Sequence, residues 1–316
     1  MTRYAAFCMA AEQLAVAARA RQVLPLSRLR DFTLSIVIVN YNKGALILSC
    51  LDSILKTSEG LPLDVIVVDN ASSDGIAEVL PNRYPQVRLI VNSVNLGFAK
   101  AANQALATTQ GLYILLLNPD TVVMEGALRT LVGYLEANPE IGALGPQMVG
   151  PDGIVQLSCR RFPGYSTALF GHYSLLTRWF PQNPFSRRYL LSDWDHRTVR
   201  AVDWVSGACL MTRRDVLERV GFLDEQFFLF NEDVDWCKRI RDAGWKVVYV
   251  PEARVIHHIG ASKDKVPVAL VIARHRGMVH YYRKHLRRGL FWDRLVALLI
   301  WVRCGCHLLL NMMRRS

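Results

Sequence analysis

What the 316-residue chain lacks narrows its chemistry before any motif is read. It has no Gly-x-Gly-x-x-Gly and no Gly-x-x-x-x-Gly-Lys-Ser/Thr loop, so neither a dinucleotide-oxidoreductase nor a phosphate-loop reading has a glycine cradle to stand on. The seven cysteines, at 8, 50, 159, 209, 237, 304 and 306, are odd in number and form no Cys-x-x-Cys pair. That argues for reduced thiols in a cytoplasmic protein, against a disulfide frame or a zinc site. No segment is disordered by composition, since 51% of the residues are apolar and 21% charged. A secretory pattern is missing too: residues 4–19 are apolar but carry Glu12 and lead into Arg19, Arg21, Arg28 and Arg30. Residues 1–30 are expected to form a helical extension with no assignable role.

What is present is unevenly placed. The net charge is +11, and residues 273–316 carry ten Lys/Arg against Asp293 alone, so the first 272 residues are nearly neutral. A basic tail suggests an anionic surface as partner, lipid headgroups or nucleic acid. Leu290 to Met313 is apolar but broken by Asp293, Arg294, Arg303 and His307. A spanning helix tolerates few charges, so an interfacial amphipathic helix is expected here, with a core helix or dimer contact as the plainer reading.

The rest of the chain repeats strand, loop and helix. Leu34–Val39, Asp64–Val68, Val87–Val91 and Ile114–Leu117 are apolar, largely β-branched or Leu-rich runs, the mark of strands buried on both faces. Helical patterns over 46–55, 98–108 and 124–138 separate or follow them. Spacing of 20–30 residues predicts a doubly wound, mostly parallel sheet with right-handed crossovers. Residues 139–200, rich in aromatics, Arg and Pro, read as long surface loops on the acceptor side.

Polar residues cluster where the strands end. Pro119 cannot donate to a ladder, so the fourth strand stops before it and presents Asp120 at its carboxyl end. Open α/β sheets bind ligands along that edge. A carboxylate there can hold a hard divalent cation, Mg or Mn, and through it a diphosphate. Asn42, Asp69 and Asn95 are expected on the same edge; singly, each also suits an ordinary turn or cap. Farther on, Gly207 interrupts a strand at 203–211, implying close approach of a backbone or ligand. Asn231 is an acceptable N-cap for a helix that places Glu232 and Asp233 in its first turn. The positive helix end favours their ionised forms, as a general base requires; two acids that only complement the dipole are the alternative. His257 and His258 point to opposite faces of a strand, so at most one joins a site.

Taken together, Val39-Asn-Tyr-Asn42, Val68-Asp-Asn-Ala-Ser-Ser-Asp74, Asn95-Leu-Gly-Phe-Ala99 with Asn103, Asn118-Pro-Asp120, Gly207, Glu232-Asp-Val-Asp-Trp-Cys237 and His257 with Ser262 resemble the family 2 glycosyltransferases of the GT-A fold, nearest to bacterial rhamnosyltransferase-like members. The resemblance covers roughly residues 34–285. It implies a nucleotide-sugar pocket made by Asn40, Tyr41, Asn42, Asp69, Asn70, Asn95, Gly97, Asn103 and Asn118. Asp120 becomes the metal-binding acid of the family's Asp-x-Asp motif, with Asn118 where many members have the first Asp, and His257 assists the metal or diphosphate. Asp233 is implied as the base that deprotonates the acceptor hydroxyl, with Glu232, Trp204 and Gly207 placing the acceptor.

The expected reaction is inverting transfer of a sugar, dTDP-rhamnose being the first choice of donor, to a saccharide or polyprenyl-linked acceptor in cell-envelope polysaccharide synthesis. No separate acid calls for a double displacement. The expected domains are 1–30, a catalytic domain over 31–265 (nucleotide-sugar half 31–145, acceptor half 146–265) and basic, apolar C-terminal helices over 266–316. The protein is expected to be cytoplasmic and peripheral on the inner face of the membrane. A catalytically inactive nucleotide-sugar-binding homologue is the alternative; nucleic acid is not expected as a partner.

Overall fold

The computed structural model describes residues 34–313, apart from 59, 171–174, 181 and 259–266. The 1–30 extension, Cys8 and Ser262 lie outside the described residues.

In chain order the first half contains β1 (Leu34–Asn40), α1 (Ala45–Thr57), β2 (Leu63–Asp69), α2 (Ile76–Arg83), β3 (Arg88–Val91), α3 (Phe98–Leu106), β4 (Tyr113–Leu117), β5 (Thr121–Val123), α4 (Ala127–Ala137) and β6 (Ile141–Val149). The second half contains β7 (Cys159–Arg160), α5 (Thr167–Phe170), α6 (Leu175–Trp179), α7 (Pro184–Leu190), β8 (Arg200–Val202), β9 (Trp204–Val205), β10 (Cys209–Arg213), α8 (Arg214–Val220), α9 (Glu232–Asp242), β11 (Lys246–His257), α10 (Val268–His285) and α11 (Leu290–Met313).

Among the described residues nine strands make one sheet, in the order β3-β2-β1-β4-β10-β6-β11-β5, with β8 paired to β11. The first four are mutually parallel. β10 runs antiparallel between β4 and β6, and β11 is again parallel to β6. The mostly parallel α/β fold is as expected, and its continuous apolar runs have the expected cause: β1 and β4 are buried along their whole length because helices cover both faces. One core forms under α1, α2 and α4, the other under α3, α8, α9 and the C-terminal helices.

One expectation needs correction. Residues 139–200 are not all surface loop, because β6 is a nine-residue strand buried throughout. Its Gly142, Gly145 and Pro146 argue against a strand locally. A Cβ at Gly142 would lie 2.6 Å from Trp245, and one at Gly145 would lie 2.9 Å from Val205, so neighbouring side chains occupy the space. β10 pairs only with Ala143 and Leu144, which leaves Pro146 beyond that ladder. β11 is a single long strand with a register break between Val250 and Arg254.

Candidate active site

The carboxyl ends of β1 and β2 are in register, Asn40 opposite Asp69. Their loops are stitched together. Asn40 Nδ2 donates to Asp69 Oδ1 at 2.9 Å, the Ser72 N–H donates to Asp69 Oδ2 at 3.0 Å, and the Ser73 N–H donates to Asn42 Oδ1 at 2.8 Å. Tyr41 and Asn42 stand exposed on this edge.

Asn70 is buried, and its amide bridges Asn95 Oδ1 and the Gly97 carbonyl while accepting from Asn92 and Leu96. Gly97 has φ +82°, and a Cβ there would meet the Phe228 carbonyl at 2.5 Å, so the position requires glycine. Asn103 is held from both sides: its amide donates to the Leu223 carbonyl at 2.9 Å and accepts the Leu223 N–H at 3.1 Å. Asn40, Asn70 and Asn103 thus hold loops in place. Burial favours protein partners for these amides, and Asn40 Oδ1 is the one oxygen of the three left without one.

A cleft of about 500 Å³ opens beside this edge, lined by Asn118, Asp120 and His257 together with Trp204, Gly207, Glu232 and Asp233. The two acids, 113 positions apart, therefore share one cavity. Asp120 is placed by the end of β4 and by His258, the residue after β11, whose N–H donates to the Asp120 carbonyl. The side chain meets Lys43 Nζ at 3.0 Å and His257 Nε2 at 3.4 Å. Burial alone would raise the carboxyl, but His257 and Lys43 outweigh it and hold it below the usual range, so it is ionised at neutral pH.

Asp233 stands in the first turn of α9. Its Oδ2 accepts the Gly207 N–H at 2.9 Å and its Oδ1 the Val234 N–H at 2.8 Å. A Cβ at Gly207 would come within 3.2 Å of Asp233 Cβ, so the expected close approach at this glycine is to the base candidate itself. Asn231 precedes the helix but does not cap it by its side chain: it has φ +71°, follows Phe230 at φ +69°, and donates to the Arg274 carbonyl.

The helix end does not dominate these acids. Burial, and then the charge of Asp233, push Glu232 well above its ordinary value. Burial raises Asp233 too, against the Gly207 and Val234 N–H groups and the Arg160 charge, which favour its anion. Asp233 is thus the member that ionises and Glu232 the one that stays protonated.

Sequence reasoning missed three residues that line the cleft and Lys43, which pairs with its Asp120. Lys43 was visible only as part of a loop. Arg160, Arg274 and Arg303 line the cavity from β7, α10 and α11. Arg303 was read as an obstacle to membrane insertion, whereas it turns inward and donates to the Thr167 carbonyl. The C-terminal helices therefore wall the site: a Cβ at Gly277 of α10 would lie 2.9 Å from the Phe230 carbonyl, so α10 packs directly on the turn before α9.

Asp120 and His257 are the only acid and imidazole that meet at a strand end here, and among the described residues no cluster of three or more His, Cys, Asp or Glu side chains gathers to hold a metal. Asp120 Oδ1 is buried and completes no hydrogen bond, its nearest partner being His257 Nε2 at 3.4 Å. A divalent cation completed by diphosphate oxygens fits such a two-residue donor set.

Comparison with known proteins agrees with this architecture. The family model described as Glycosyl transferase family 2 matches residues 35–221. The chain is 34% identical over 254 residues to the N-acetylglucosaminyl-diphospho-decaprenol L-rhamnosyltransferase of Mycobacterium tuberculosis, covering 77% of this chain and 81% of that protein. It is 28% identical to rhamnosyltransferase WbbL of Escherichia coli K12, over 66% of this chain and 79% of the relative. Among solved structures it resembles the mannosyltransferase PcManGT of Pyrobaculum calidifontis, in complex with GDP-Man and Mn2+. The TM-score is 0.56 at 18% identity, covering 96% of this chain and 86% of that one. GalNAc-T7 with UDP, GalNAc and Mn2+ matches at TM-score 0.54 and 17% identity, over 72% of this chain and 44% of that one. The two structural likenesses concern the fold.

Proposed function

The chain belongs to glycosyl transferase family 2, and on that premise we propose that it is an inverting, metal-dependent transferase that moves rhamnose from a nucleoside-diphosphate donor to a saccharide carried on a lipid diphosphate. The observation that supports this most is the shared cleft, with an ionised acid between Lys43 and His257 on one part of its wall and the Glu232–Asp233 pair on another.

Asp233 takes the proton of the acceptor hydroxyl at its carboxylate, oriented by the Gly207 and Val234 N–H groups. The hydroxyl oxygen forms the new glycosidic bond as the bond to the leaving nucleoside diphosphate breaks, and a single displacement inverts the anomeric centre. Asp120 and His257 would hold the divalent cation, which supplies charge stabilisation to the departing diphosphate when bound. Lys43 is placed to add its own positive charge there. The loops carrying Tyr41, Asn42, Asp69 and Asn95 would receive the base and ribose, and Trp204 and Gly207 would shape the acceptor side. Protonated Glu232 would offer a hydrogen bond to the acceptor.

The relatives' names support the choice of donor sugar and acceptor. Purified protein with Mg or Mn, a panel of nucleotide sugars and a lipid-diphosphate saccharide tests the reading. Release of nucleoside diphosphate with transfer from a rhamnose donor is expected; no transfer from any donor overturns it.

The protein is further proposed to lie on the cytoplasmic membrane face through α11. Length and composition alone would let Leu290–Met312 cross a bilayer. Against that, Val296, Ile300 and Cys304 are buried in the protein, while Phe291, Trp292, Leu298 and Trp301 are exposed, an arrangement suited to the interface. Flotation with anionic vesicles is expected to carry the protein; failure to float at low salt removes the membrane assignment.

A further inference from the structure

We infer that Tyr281 of α10 is an acceptor-recognition residue, its phenolic hydroxyl bonding a neutral hydroxyl of the acceptor saccharide beside Asp233; the inference rests on the transferase reading above. Tyr281 lines the cleft together with Trp204, Gly207 and Asp233. It is 1% exposed, so nearly all of the ring is enclosed by protein. Its hydroxyl nevertheless has no hydrogen-bond partner among the described residues. The ring meets those of Tyr282 and His285, and only burial and neighbouring charge act on the oxygen.

Other buried tyrosines show what is unusual here. Tyr84 donates to Asp52 and Tyr249 to the His196 carbonyl, and the Tyr282 hydroxyl, next in the chain, bonds Thr167 and the Gly164 carbonyl. Buried phenols find such partners because an unmade bond costs the desolvation of the group. Of these four, Tyr281 alone leaves its oxygen without a protein acceptor. That oxygen is not sealed from solvent, so it opens on the cleft.

α10 is fastened on both sides of this residue. One turn before it, a Cβ at Gly277 would lie 2.9 Å from the Phe230 carbonyl, and Asn231 donates to the Arg274 carbonyl. One turn after it, His285 Nε2 lies 2.7 Å from Asp235 Oδ1, and Lys284 Nζ reaches the same oxygen at 2.8 Å. Residues four apart share a helix face. Gly277, Tyr281 and His285 therefore all face α9 and the turn before it, where Asp233 stands two residues from Asp235. A side chain held in this way adds recognition at little cost in ordering.

The chemistry of the group selects the ligand. Burial, and then the charge of Asp235, push the phenol above its ordinary value, so it is neutral at every working pH. A neutral hydroxyl that both donates and accepts suits a sugar hydroxyl, which has the same capacity. A diphosphate calls for cations instead, and Lys43, the cation suited to the donor's diphosphate, meets Asp120.

Tyr281→Phe keeps the ring and removes the oxygen. With the full chain, a rhamnose donor and one monosaccharide on a polyprenyl diphosphate, it is expected to raise the acceptor KM about three- to tenfold, the worth of one hydrogen bond. The donor KM is expected to stay within about twofold. Tm is expected to equal or exceed that of wild type, since no protein bond is lost. Acceptors lacking one saccharide hydroxyl each locate the contact: for one of them wild type is expected to show the same rise, and Tyr281→Phe no further loss. An unchanged acceptor KM, equal rises for donor and acceptor with a lower Tm, or additive losses with every deoxy acceptor overturns the assignment. Calorimetry of the same acceptor in the presence of nucleoside diphosphate gives a readout free of turnover. Weaker binding by the variant, with no transfer by wild type from any donor, would remove the transferase reading and keep the tyrosine site. Transfer by wild type, with the same acceptor affinity in the variant, would do the reverse.

Discussion

Asp120 and Asp233 look into the same cavity but are held in opposite ways. Asp120 sits between Lys43 at 3.0 Å and His257 at 3.4 Å, and these partners overcome the cost of burial. Asp233 has two backbone N–H groups and a neighbouring acid, and burial prevails. The difference separates the two tasks in the proposed reaction. A residue that meets a cation or diphosphate must be an anion at every working pH, while a residue that accepts a proton works best when its affinity for protons has been raised toward neutrality.

Breaking the base side is expected to have the largest effect. Asp233→Asn keeps the shape and the Gly207 contact but cannot take a proton, so kcat is expected to fall by about 10²–10⁴. Nucleotide-sugar binding, measured calorimetrically, should be retained; retained turnover would refute the base assignment. Asp120→Asn attacks the other side. It is expected to lower kcat and to abolish the strengthening of nucleoside-diphosphate binding by Mn, leaving metal-free nucleotide binding close to wild type. An unchanged metal response would move the cation elsewhere.

The smallest effect concerns Glu232, and its sign is definite. The folded protein binds this proton more tightly than the unfolded chain, so the group's contribution is full below its ordinary value near 4.5 and is lost as pH rises through its raised folded value. Glu232→Gln removes that loss. The variant is expected to match wild type near pH 4.5 and to melt about 2–4 °C higher at pH 8–9 in thermal unfolding. The acid limb of kcat/KM, which reports Asp233, should persist. A lower Tm across the whole range would show that the carboxyl is not protonated in the fold.

The same contrast explains how far the site could be read in advance. Asp120 was legible because a strand buried on both faces is written as unbroken apolar residues, and Pro119 dates its end. Its role as a strand-end acid needed no knowledge of distant residues. The state of Asp233 was not legible. Helix position suggested a stabilised anion, but how far the acid is withdrawn from water is a property of packing. Asn103 shows the same limit: an amide in a motif gives no sign that Leu223, 120 residues later, will occupy it on both sides.

By itself the sequence determined the alternation of strands and helices, the polar strand ends and the family, because periodicity and turn chemistry act over a few residues. Only the tertiary structure decided that Ile141–Val149 is a core strand, that the C-terminal helices wall the cleft, and that Arg303 faces inward. Those outcomes depend on which remote surfaces fill the space beside Gly142, Gly145 and Gly277, and close packing between distant segments leaves no local signature.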